Sequence, residues 1–108
     1  MEQLTVLKKE GSNYLMFELS GVFNAYTAVN VQNKIYEAIE KQNVVLELAR
    51  VVALDSAAMG IIMAAHNDAI EYGTKLFLMS PSNEAEKEIA STGFKELLNI
   101  INSVTEIV

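Results

Sequence analysis

A chain of 108 residues, 51% hydrophobic and 20% charged, suits one globular domain over 1–108 with one modest core. Its formal net charge of −6 makes nucleic acid and anionic lipid surfaces poor partners, and no run of Lys or Arg offsets it. With no cysteine and one histidine, the sequence excludes disulfides, thiol catalysis and an ordinary zinc site.

The opening segment MEQLTVLKKEG is interrupted by charge before any signal-peptide core forms. The longest weakly polar run, Val51 to Ala65, falls short of the roughly 20 residues that span a bilayer. A soluble cytoplasmic domain without membrane insertion is expected. LTVLKKEGSNYLMFELSG reads as a hairpin, with turn chemistry at Gly11-Ser12-Asn13. Leu15, Phe17 and Leu19 alternate with Tyr14, Met16 and Glu18, which predicts one buried and one wetter face. Gly21 marks the end of that strand.

The period then changes. Ala28, Val31, Ile35 and Ile39 fall at helical spacing in NAYTAVNVQNKIYEAIEKQN, with Asn24 as the predicted N-cap. VVLELA, 44–49, reads as a strand covered on both faces. A helix follows from Ser56 to about Tyr72, apolar nearly all round in its first two turns. KLFLM, 75–79, is a second buried strand, set off by Gly73. Pro81 stops it, and Asn83 with Glu86 predicts a capping box for a helix to about Ser91. FKELLNII suggests a helical turn with a short strand, and Ser103 with Glu106 another capping box. The order is β-β-α-β-α-β-α plus short C-terminal elements. The expected fold class is α/β, a small mixed β-sheet with helices mainly on one side.

Asp55 and Ser56 stand at the head of the greasy helix. Either side chain can cap it by accepting from a backbone N–H. The same geometry tolerates added negative charge, because a helix N-terminus carries orphan donors and a positive dipole end. A phosphoryl group on Ser56 would add roughly −1.5 to −2 charge beside apolar surface and oppose docking there. Met59 and Met63 are expected in the core, with a partner-facing surface as the alternative. His66 has no acid–base partner in the sequence and is given a structural or surface role. Thr27 is expected to pack or hydrogen-bond at a helix start rather than accept phosphate.

VVLELARVVALDSAAMGIIMAAHNDAIEYGTKLFLMSPSNEAEKEIASTGFKELLNI resembles the STAS domain of bacterial anti-sigma factor antagonists. The shared features are a buried strand, a loop ending in Asp-Ser, an apolar helix with Gly60, and Gly73 before the next strand. Ser-Pro at that strand's end and the Thr-Gly-aromatic-x-x-Leu run at 92–97 complete them. LSGVFNAYTA is similar to the family's entry to its first helix. The resemblance implies a phosphorylation-controlled binding module that sequesters a serine-kinase anti-sigma factor while Ser56 is unphosphorylated. It implies Ser56 as phosphoacceptor and Asn24, Asp55, Ser56, Ala57, Ala58 and Met59 as the partner-binding set. A serine phosphatase would reverse the modification. ATP and magnesium belong to the kinase, so the domain itself needs no cofactor. Asn24 replaces the family's usual Asp, Glu47 replaces an Asp, and Ala57-Ala58 replaces Ser/Thr-Gly. The alternative is a STAS scaffold or accessory domain that regulates another signalling or transport complex. Enzyme activity is not expected: Ser56 and His66 lie ten positions apart on one helix, about 15 Å along its axis.

Overall fold

The computed structural model describes residues 3–107. β1 (Leu4–Glu10) and β2 (Leu15–Phe23) form the antiparallel hairpin, with Leu4 opposite Gly21 and Glu10 opposite Leu15. Its turn closes through Gly11 N–H donating to the Tyr14 carbonyl at 2.9 Å. Three strand–helix–strand units follow. α1 (Gln32–Ile39) leads to β3 (Val44–Leu54), α2 (Ser56–Tyr72) to β4 (Leu76–Met79), and α3 (Asn83–Ser91) to β5 (Asn99–Ile101). Strands β2 to β5 run parallel, and the spatial order is the chain order, β1-β2-β3-β4-β5.

That order places the helices. A right-handed crossover stepping always in one direction sets each helix on the same face of the sheet. One apolar cluster accordingly joins Phe17 and Leu19 of β2 and Leu46 of β3 with Ile35 of α1, Ile62 of α2 and Ile89 of α3. The fold is the mixed α/β sheet with one-sided helices that the sequence predicts. The opposite face has a smaller cluster of Met16, Val45, Phe77, Ile101 and Ile107. Met16 is thus buried rather than on a wet face, because the C-terminal tail folds back over that part of the sheet.

Four local readings are corrected. β2 does not end at Gly21 but continues to Phe23, and Gly21 sits at a register irregularity against β3. The helix expected directly after Asn24 is split. A 3₁₀ turn over Thr27–Asn30 precedes α1, with Val31 at φ −134° between them. β3 runs past Ala49 to Leu54, so the segment before Asp55 is strand, not loop. The α3 cap is Ser82, whose hydroxyl accepts from Ala85 N–H at 3.1 Å and donates to the Val51 carbonyl at 2.6 Å. Asn83 is instead the first helical residue. The capping box at the tail forms, with Glu106 accepting from Ser103 N–H at 2.9 Å, on a single 3₁₀ turn.

Candidate functional site

The long β3 carries Asp55 to the same edge of the sheet as Asn24. Phe23 and Leu54 are register partners at the ends of β2 and β3, and Asp55 N–H donates to the Phe23 carbonyl at 3.3 Å. The residues that follow these two strands therefore lie side by side.

Asp55 is extended, at φ −102° and ψ 179°, and its Oδ1 accepts from Ala58 N–H at 2.9 Å. The first intrahelical bond runs from Met59 N–H to the Asp55 carbonyl at 3.0 Å. Ser56 and Ala57 stand before that bond, at the positive end of α2. Both are exposed. Ser56 is the first residue of the helix, and its hydroxyl makes no hydrogen bond among the described residues. Capping falls to Asp55, which leaves Ser56 unengaged.

Asn24 does not cap α1; its side chain closes the turn that leads into the 3₁₀ segment. Its Oδ1 accepts from Tyr26 N–H at 2.9 Å and Thr27 N–H at 3.0 Å. Thr27 is buried, with Oγ1 donating to the Val22 carbonyl at 2.7 Å and accepting from Asn24 N–H at 2.9 Å. It holds the turn, as expected of a helix-start threonine. α1 starts at Gln32, and Val31 at its N-cap position supplies no side-chain cap.

Two members of the predicted partner-binding set lie under the surface. Ala58 is 0% exposed and Met59 3%, both in the core against the sheet. They set the position of α2 but present no side chain to a partner. Asn24, Asp55, Ser56 and Ala57 remain reachable. Sequence reasoning missed three exposed apolar groups near them in the chain, Tyr26 and Val29 after Asn24 and Val52 before Asp55. Tyr26 is 85% exposed, Val29 74% and Val52 60%. The signal was present for two of these: Tyr26 and Val29 fall off the buried stripe of Ala28, Val31 and Ile35.

His66 is mostly buried on the core side of α2, so Asp55, Ser56 and His66 are not brought together as a triad. No group of three or more His, Cys, Asp or Glu among the described residues is arranged to hold a metal ion. No described helix is long and apolar enough to cross a membrane. The strand order also makes no topological switch point at this end. Ligand clefts in open parallel sheets form where the strand order reverses direction, and here it never reverses. Two surface grooves, one between β1 and α1 and one on the opposite sheet face, are lined by neither Asp55 nor Ser56.

Fold and site define a small α/β module that exposes the Ser56 hydroxyl at the end of its central parallel strands. Residues 5–107 match the family model of the STAS domain, and the chain belongs to that family. STAS domains are typically non-catalytic regulatory modules. Among solved structures, an anti-sigma factor antagonist from Mycobacterium paratuberculosis is 17% identical with a TM-score of 0.83, covering 95% of this chain and 89% of that one. A putative anti-sigma factor antagonist from Thermotoga maritima is 18% identical with a TM-score of 0.79, covering 94% and 89%. Bacillus SpoIIAA in its phosphorylated form is 15% identical with a TM-score of 0.73, covering 94% and 95%. At these identities the likeness is one of fold.

Proposed function

We propose that this chain is an anti-sigma factor antagonist whose docking is switched by phosphorylation of Ser56. With Ser56 unmodified, the edge formed by Asn24, Asp55, Ser56 and Ala57, flanked by Tyr26 and Val29, sequesters a serine-kinase anti-sigma factor. The kinase brings ATP and magnesium, and a serine phosphatase restores the free hydroxyl. The observation that carries this reading is the state of Ser56: exposed, unengaged, and at the start of a helix already capped by its neighbour. A phosphate there gains from the helix dipole by about 0.3–1 kcal/mol, so the fold tolerates it. The same charge must be desolvated for Tyr26 and Val29 to dock against an apolar partner surface, and that opposes binding.

The test is incubation with candidate kinases and ATP, mapping of phosphate by mass spectrometry, and partner binding by three proteins. Ser56→Asp keeps the wild-type unfolding midpoint and loses at least ten-fold in affinity, whereas Ser56→Ala binds constitutively. Equal binding by wild type and both variants rejects the switch, and phosphate mapped only elsewhere rejects the site. A second reading, an accessory STAS domain of another signalling or transport complex, is favoured by Ala57-Ala58 and Asn24. These residues remove a hydroxyl and a carboxylate from the edge. It predicts a partner that binds all three proteins alike.

A further inference from the structure

The tail after β5 is attached to the sheet unlike the helices. Each helix unit is tied to a neighbouring segment by hydrogen bonds. Thr74 Oγ1 donates to the Ile39 carbonyl at the end of α1 at 2.7 Å, and Asp55 N–H donates to the Phe23 carbonyl at the start of α2. Ser82 joins the start of α3 to β3, its N–H donating to the Leu48 carbonyl at 3.2 Å and its hydroxyl to that of Val51 at 2.6 Å. Residues 103–107 have no such tie. Among the described residues, every hydrogen bond they make stays within 102–107, and they form no ion pair. Apolar contact alone holds them down: Ile107 is buried and Val104 partly buried in the cluster of Met16, Val45, Phe77 and Ile101.

The point of attachment is equally well defined. Ser80 pins the last anchored residues, its N–H donating to the Ile101 carbonyl at 2.9 Å and its hydroxyl to the Asn102 carbonyl at 3.3 Å. Beyond Asn102, the capping box of Ser103 and Glu106 closes a turn that takes nothing from the sheet. Rotation at Asn102 therefore breaks at most two hydrogen bonds, Asn102 N–H to Glu106 at 2.6 Å and Ser80 to Asn102. Both are solvent-exposed, so water replaces them at small net cost.

We propose that residues 103–107 are a strap hinged at Asn102, which swings off as a unit and uncovers the apolar face of Met16, Val45, Phe77 and Ile101 while the rest of the domain stays folded. A frayed end loses its own hydrogen bonds, whereas this segment keeps them and moves as a body. The five-stranded pairing and the helix-side core do not depend on it, so the opening is local. It gives the domain a second, normally hidden apolar surface, gated independently of Ser56.

The chain has no cysteine, so a single introduced thiol reports the opening. Val45→Cys places one under the strap and Ala65→Cys one in the main core, at positions that are both 0% exposed. Labelling with N-ethylmaleimide is followed by mass spectrometry across low urea concentrations, and urea curves give each variant's global stability. Ala65→Cys labels at the rate that global unfolding sets, which rises steeply with urea. Val45→Cys labels at least ten-fold faster, at a rate that hardly changes with urea. Adding Ile107→Ala to Val45→Cys raises its rate at least ten-fold and keeps the shallow urea dependence. Equal rates and slopes for the two reporters overturn the strap, because the face then opens only with the whole fold. A Val45→Cys rate indifferent to Ile107→Ala overturns it as well, since another motion then exposes the face. Ile101→Cys, under the same strap, replaces Val45→Cys if that variant fails to fold, and the same outcomes decide.

Discussion

At position 21 the backbone has φ +109°, and a Cβ there would run into the Gln3 carbonyl oxygen. The collision is with backbone, so no side-chain rotation relieves it. Gly21→Ala should therefore cost roughly 3 kcal/mol or more, by strain together with displacement of β1 from β2. Urea unfolding checks this, and an unchanged midpoint would show that the hairpin yields easily. The glycine was visible in the sequence, but its role was not. A glycine after alternating apolar residues reads as a strand end, and only the pairing register shows that it lies inside the strand. Asn24 is a parallel case. Its side chain declared a helix cap, yet it closes the turn ahead of the 3₁₀ segment, because the residue type does not say which turn it will serve. Asp55 and Ser56 were more legible because one carboxylate and one hydroxyl preceded a long apolar run. What sequence left open was the division of labour, which the Asp55–Ala58 bond settles by freeing the Ser56 hydroxyl.

Among the elements, α2 was read to within a residue because both ends carry strong signals. Asp55 caps the start. At the other end Gly73 adopts φ 77°, and Thr74 N–H and Gly73 N–H return to the carbonyls of Ala69 and Ile70. Between them Gly60 stands exposed in mid-helix, with nothing within 4 Å of where a Cβ would be. No packing requires a glycine there, so Gly60→Ala should stabilise the domain by about 0.5–1 kcal/mol. A raised urea midpoint at unchanged slope is the expected result, and a lowered one would reveal a close approach that the fold does not show. The segment before β3 was read less well. Its buried stripe was right at Ala28, Val31, Ile35 and Ile39, yet the backbone is a 3₁₀ turn, a break at Val31 and then α1. Apolar spacing reports which side of the chain faces inward. A 3₁₀ turn and an α-helix joined end to end can share that side, so the pattern does not see the break.

At the level of the whole molecule, the sheet is protected unequally. Its helix face carries the main core, while the other face relies on Ile107 and Val104 of the tail to cover Met16, Val45 and Phe77. This second cluster was illegible in the sequence because SVTEIV is too short to display a period, and a strand pattern does not reveal what lies over its back. The arrangement has an energetic consequence. Ile107 is buried in that cluster, with residues of β2, β3, β4 and β5. Ile107→Ala removes apolar contacts from that cluster and should cost about 2–4 kcal/mol, comparable to an isoleucine in the main core. The loss should appear in hydrogen exchange first at the amides of β4 and β5, whose outer pairing the tail supports. The partner binding proposed at Ser56, at the opposite ends of β2 and β3 from the Met16–Val45 contacts, should remain at the wild-type level while the protein is folded. A cost below about 0.5 kcal/mol would mean that the tail rests on the sheet without holding it. The helix layer alone would then account for the stability of the fold.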